Sequence, residues 1–155
     1  SNGMAWSPDQ KTFYYIDSAE RNIKAYDYDV LSGEITRPRV IINIPGTEGY
    51  PDGMTIDTEG MLWIALWGGW KIGRYNPSTG KQVGKVVLPV SQVTSCTFGG
   101  ENLEEMYVTT AMEGLSQQEL QQQPLAGCLF IVRQSLARGI SAARFIMDKP
   151  GYNAR

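Results

Sequence analysis

The stretch Pro51-Asp52-Gly53-Met54-Thr55-Ile56-Asp57, with Leu62-Trp63-Ile64-Ala65 behind it, decides how this chain is read. An acid beside a glycine leads into a short apolar strand. Thr58-Glu59-Gly60 turns the chain, and a second strand follows. The same arrangement opens the sequence, where Asn2-Gly3-Met4-Ala5-Trp6 precedes a turn at Ser7-Pro8-Asp9-Gln10 and a strand at Phe13-Tyr14-Tyr15-Ile16. A third copy is Thr94-Ser95-Cys96-Thr97-Phe98, then Gly99-Gly100, then Met106-Tyr107-Val108-Thr109. Trp6, Ile56 and Phe98 align at spacings of 50 and 42 residues, so Asn2, Asp52 and Thr94 are equivalent first positions. Repetition at this period, with about four strands per unit, is the signature of β-propeller blades.

Outward from that core the remaining strands fall into place. Asn22 to Tyr28 and Arg39 to Ile44 complete the first unit; Lys71 to Tyr75 and Gln82 to Leu88 complete the second. Asn76-Pro77-Ser78-Thr79-Gly80 joins the last two of these, with Asn-Pro to start a turn and Gly to end it. In the third unit, Gly127 to Val132 and Ala142 to Met147 are the expected later strands. One helix is expected, Ser116 to Gln123, because Ser116 and Glu119 have capping-box spacing and Pro124 stops it. The reading is therefore all-β: three four-stranded antiparallel blades at about 1–46, 51–90 and 94–147, with 148–155 a tail. Three blades do not close a ring, so this is expected to be part of one.

Composition narrows the chemistry. Fourteen basic and sixteen acidic residues lie without charged blocks, which argues against nucleic acid or an anionic membrane surface as partner. No apolar run is long enough to span a bilayer. Cys96 and Cys128 each sit in an apolar strand pattern and read as buried thiols rather than a disulfide, which fits a reducing, cytoplasmic compartment. There is no histidine. That removes Ser-His-Asp and Cys-His catalysis and the usual zinc sites, and leaves oxygen-held metals, chiefly calcium, magnesium or manganese.

In a propeller the first strands line the central channel, so Asn2, Asp52 and Thr94 converge there. An amide oxygen, a carboxylate and a hydroxyl all suit a hard cation. Asn-Gly and Asp-Gly are also the commonest turn dipeptides, and spacing alone favours that plainer reading. Asp57 reads as structural. Trp6, Trp63 and Tyr107 read as core, whereas Trp67 and Trp70, flanking Gly68-Gly69, stand evenly between core and the rim of a ligand site.

The chain resembles the C-terminal half of the SMP-30/gluconolactonase/luciferin-regenerating family. The likeness rests on an ordered set that includes Ser1-Asn2-Gly3-Met4-Ala5-Trp6-Ser7, Pro51-Asp52-Gly53-Met54, Gly60-Met61-Leu62-Trp63-Ile64-Ala65, Thr94-Ser95-Cys96-Thr97-Phe98-Gly99-Gly100 and Gln123-Pro124-Leu125-Ala126-Gly127. It runs from about Ser1 to Ile146. The resemblance implies half of a six-bladed propeller and one divalent metal ion (calcium, zinc, manganese or magnesium). It implies hydrolysis of sugar lactones such as gluconolactone. Asn2 and Asp52 would then be metal ligands, with Asp52 also the general base. The family's third metal ligand, a Glu, and its Arg-x-Asn substrate pair find no counterpart here. The implied partners are a sugar lactone and either a missing N-terminal half or a second copy of the chain. The other reading is a non-catalytic calcium-binding or interaction module.

Overall fold

Leu62 to Leu66 are five consecutive buried residues, and this run sets the architecture. In a strand, successive side chains point to opposite faces, so a run of this kind needs cover on both sides. Leu62, Ile64 and Leu66 pack with Ala5, Tyr14, Ile16, Ile23, Ala25 and Ile42 of the preceding sheet. Trp63 and Ala65 pack with Val93, Cys96, Phe98, Met106 and Val108 of the following one. The molecule is a computed structural model that describes residues 1–133 and 137–143.

Three antiparallel sheets follow one another. The first holds β1 (Met4–Trp6), β2 (Thr12–Asp17), β3 (Asn22–Tyr28) and β4 (Ile35–Asn43), in that order. A 3-10 turn at Gly46–Glu48 leads to the second, β5 (Tyr50–Ile56), β6 (Leu62–Trp67), β7 (Lys71–Tyr75) and β8 (Gln82–Val87). The third contains β9 (Val93–Gly99), β10 (Glu105–Thr110) and β11 (Phe130–Val132). The first strands of the sheets, β1, β5 and β9, lie side by side. The helix α1 (Gln117–Gln122) has the expected capping box: Ser116 Oγ accepts from the Glu119 N–H, and Glu119 accepts from the Ser116 N–H at 2.8 Å.

The third sheet departs from expectation, with three strands among the described residues rather than four. Pro124 to Gly127 is turn, with the Ala126 N–H on the Gln123 carbonyl and Gly127 left-handed at φ 81°, so β11 begins only at Phe130. Cys128 therefore lies before the strand and is exposed, not buried; Cys96 is buried, and both thiols are free. Ala142 and Ala143 are not in a strand, and 144–147 of the expected fourth strand lie outside the described residues. The segment before them crosses to the second sheet. Gly139 bridges Asp57, and the Thr58 N–H donates to the Arg138 carbonyl.

Two of the three aromatic residues read as core are not core. Trp63 is buried, but Trp6 is 41% exposed and Tyr107 is half-buried. Both belong to the opposite face from their buried neighbours, Ala5 for Trp6 and Met106 and Val108 for Tyr107. Trp6 instead packs beside Phe13 on its own sheet, centroids 5.0 Å apart.

Strand β4 is the outer edge of the first sheet. Ala25 pairs Arg39 and Asp27 pairs Thr36, so Tyr26 faces an Arg37-Pro38 bulge, with Arg37 left-handed at φ 51°. Both Arg37 and Arg39 reach Asp27, at 3.2 and 2.8 Å.

Candidate functional site

Asp52-Gly53 is not a turn. Pro51 pairs with Leu66 and Met54 with Ile64, so Asp52 and Gly53 together stand opposite Ala65 as a β-bulge within β5. A bulge detaches backbone groups from the ladder and re-aims side chains. Here the freed Asp52 carbonyl accepts the Gly3 N–H at 3.1 Å, tying the first sheet to the second. Asn2-Gly3 repeats the device. The Asn2 N–H donates to the Ile16 carbonyl and the Ile16 N–H to the Gly3 carbonyl, so two residues again face one. In β9, Val93 pairs Thr110 and Ser95 pairs Thr109, which leaves Thr94 as the extra residue. All three aligned first positions thus sit at irregularities of the innermost strands.

The glycines have a packing reason. A Cβ on Gly3 would come 2.6 Å from Met54 Cβ, and one on Gly53 would come 2.2 Å from Ser95 Oγ. Each inner strand presses its backbone against the next, and only glycine leaves room. That contact sets Asn2 beside Asp52.

The Asn2 side chain and the Gly53 N–H lie beside the Asp52 carboxylate. Burial raises the Asp52 pKa above its ordinary 3.8, and these two polar groups oppose the rise. The pair opens on a cavity of about 240 Å³ lined also by Ser18, Tyr50, Pro51 and Trp67. Ser18 Oγ donates to the Pro51 carbonyl at 2.7 Å and fixes the strand one residue before Asp52. Thr94 is held elsewhere, with its hydroxyl 2.7 Å from that of Thr109, and does not line the cavity. Trp67 does line it, whereas Trp70, 43% exposed, does not. Sequence reading passed over Ser18 and Tyr50. The signal for Tyr50 was its place directly across the strand pair from Trp67, a register that the bulge hides.

Asp57 belongs to a different environment. It is fully buried and accepts four hydrogen bonds, from Trp63 Nε1 at 2.8 Å, Arg74 Nε at 2.9 Å, and the N–H groups of Glu59 and Met61 at 3.0 and 2.9 Å, with Arg74 Nη2 in ion-pair contact at 2.7 Å. A carboxylate so saturated has no oxygen lone pair left for a ligand. It fastens the β5–β6 turn, as its sequence position suggested.

The donors around the cavity are hard oxygens, a carboxylate and an amide, which suit calcium, magnesium or manganese better than a soft-ligand metal. Among the described residues no group of three or more His, Cys, Asp or Glu side chains is arranged to hold a metal ion. Two protein oxygens fit a hard cation whose other ligands are water or come from elsewhere. No helix among the described residues is long and apolar enough to cross a membrane.

Comparison with known proteins bears on the same residues. Residues 1–112 match the family model described as the SMP-30/Gluconolactonase/LRE-like region. Regucalcin from Sus scrofa is 48% identical over 140 residues, which is 90% of this chain and 47% of that protein. The structure of a luciferin-regenerating enzyme superposes with a TM-score of 0.82 at 38% identity, over 90% of this chain and 47% of that one. A calcium-binding regucalcin from Agrobacterium tumefaciens str. C58 superposes with a TM-score of 0.84 at 28% identity and the same coverage. The chain spans about half the length of the curated relatives it matches.

Proposed function

Because the chain belongs to the SMP-30/gluconolactonase/LRE-like family, we propose that it supplies part of a metal-dependent site for hydrolysis of sugar lactones. Its three sheets are then three blades, half of a six-bladed propeller, and the cavity at Asp52 faces the central channel. The observation that carries this reading is the meeting of Asn2 and Asp52, from two different sheets, at one half-buried cavity.

Asn2 and Asp52 would hold a divalent cation, calcium foremost, through the amide oxygen and the carboxylate. Such an ion polarises a carbonyl and favours the attack of water. The Asp52 carboxylate takes the proton of the attacking water. Gly53 and Gly3 hold the two side chains at this separation through backbone packing.

A second reading has its own support. The cavity offers a single carboxylate, and no acidic cluster accompanies it among the described residues. Calcium binding without efficient turnover is therefore the behaviour proposed for this chain by itself, even as two copies, with efficient lactone hydrolysis requiring the residues of an N-terminal half. Gluconolactone hydrolysis with added calcium, manganese or zinc tests this, with light scattering for mass. Rapid turnover by a monodisperse monomer would sink the proposal of an incomplete site, and loss of calcium binding in Asp52→Ala would support the ligand assignment.

A further inference from the structure

The cavity has an aromatic mouth that the metal chemistry leaves unexplained. Tyr50 and Trp67 are direct cross-strand partners on β5 and β6, and both line the cavity that contains Asp52. Tyr50 is 45% exposed, although a large ring gains by burial. Its position is nevertheless held. The Arg21 guanidinium lies over the Tyr50 ring at 3.6 Å from the centroid, and Arg21 Nη1 donates to the carbonyls of Gly46 and Gly49 at 3.1 Å each.

The scaffold behind the mouth is close-packed. A Cβ on Gly49 would come 2.4 Å from the Trp67 carbonyl, and one on Gly69 would come 2.3 Å from the Glu48 carbonyl. The loops that carry Tyr50 and Trp67 therefore interlock backbone to backbone, and a Lys71–Glu48 ion pair joins them as well. Arg21 comes from the β2–β3 turn, which also supplies Ser18 to the cavity. A surface aromatic residue secured by a stacked cation, two hydrogen bonds and interlocked loops is pre-organised for contact with a ligand.

Resting on the lactonase reading of Asp52, we infer that Tyr50 and Trp67 are the specificity-determining walls of this site, stacking against the apolar C–H face of a ring-shaped polyol, and that Arg21 is the positioning residue for Tyr50. A six-membered sugar lactone has such C–H faces and hydroxyls at its rim. An open-chain polyol with the same hydroxyls has no rigid face to present. The mouth selects the ring, and the oxygens of Asn2 and Asp52 line the same cavity.

The test uses the 155-residue chain with two probes read separately. Saturation-transfer NMR follows 1,5-anhydroglucitol, a ring that does not hydrolyse, against the open-chain glucitol. Calorimetry follows calcium alone. The parent should bind the ring in preference to the open chain, and Trp67→Ala or Tyr50→Ala should weaken ring binding by about tenfold with calcium affinity unchanged. Arg21→Gln should weaken ring binding less, and should do nothing further in a Tyr50→Ala background, a coupling that a merely structural role does not produce. Equal binding of ring and open chain, or undiminished ring binding in Trp67→Ala and Tyr50→Ala, overturns the inference. Asp52-dependent calcium binding with no ring binding overturns it while leaving the metal reading standing. Ring binding at the mouth with no calcium binding sinks the metal reading and upholds the mouth.

Discussion

Asp52 and Asp57 stand five residues apart on one strand and its turn, and their surroundings are opposite. Asp57 is fully buried, with four hydrogen bonds and the Arg74 ion pair. Asp52 is half-buried, lies beside Asn2 and the Gly53 N–H, and faces a cavity. The same functional group is a fastener in one place and open to a cavity in the other. Donor count and access decide which, and the strand's own pleat and bulge set both.

The sharpest way to break that contrast is Asp57→Ala. It leaves Arg74, itself only 18% exposed, without its buried partner, and losing one partner of such a pair costs about 3–5 kcal/mol. Urea unfolding of this variant beside Asp52→Ala should show a large loss for the first alone. Equal losses would mean that Asp52 is also structural.

Alkaline titration sharpens the dry side of the comparison. Cys96 Sγ donates to the Trp63 carbonyl beneath the Asp57 network, and burial pushes its thiol from 9.0 up to about 12. The folded state thus keeps a proton that the unfolded chain releases. Stability from this source is full below about pH 9 and is lost as pH rises toward 12, at about 1.4 kcal/mol per pH unit. Burial likewise raises Tyr75, from 10.0 to about 12. Its contribution begins one unit later, so the fall between pH 9 and 10 isolates the thiol. Unfolding curves across that window should slope downward for the parent and flatten for Cys96→Ala.

Gly53→Ala comes next. A methyl group directed at Ser95 must displace backbone or side chain, an overpacking worth about 1–3 kcal/mol. Gly84→Ala, where the nearest atom would be Arg74 Cβ at 3.6 Å, should fall well below that. If both variants melt together, the inner strands are not in the close contact described.

The smallest effect on stability belongs to Asp52→Ala, within about 0.5 kcal/mol of the parent, the usual range for a position without a buried network. Its calcium affinity should nevertheless fall by at least about tenfold by calorimetry, because a hard cation loses its charged ligand. A large stability loss with unchanged calcium binding would reverse the roles assigned to the two carboxylates.

Much of the fold was legible because period-two patterning and turn residues are local. The runs Phe13 to Ile16, Asn22 to Tyr28 and Lys71 to Tyr75 announced their strands. Ser116 with Glu119 announced the helix start. The role of Asp57 followed from its turn position. What failed depended on register across the sheet. Asp-Gly reads the same in a hairpin turn and in a bulge, and only the pairing of Pro51 with Leu66 and Met54 with Ile64 separates them. Trp6 and Tyr107 alternate correctly but belong to the face that lacks cover in the described structure, which a local pattern does not reveal. Cys128 fell outside its expected strand because Gly127 adopts a left-handed turn conformation. In the candidate site, Asn2 and Asp52 were visible as repeat equivalents, whereas Ser18 and Tyr50 enter from a neighbouring hairpin turn and across a bulge.

The outer rim of the first sheet has a consequence for how the protein behaves in a crowded solution. On β4, Pro38 removes an N–H from the edge, the bulge interrupts its ladder, and Arg37 and Arg39 cover it with charge. An incoming strand from another molecule finds neither a continuous row of donors nor a neutral surface. Fibril growth by templated strand addition is blocked on this rim. Contact along this rim, where it occurs, is left to side chains rather than to backbone pairing.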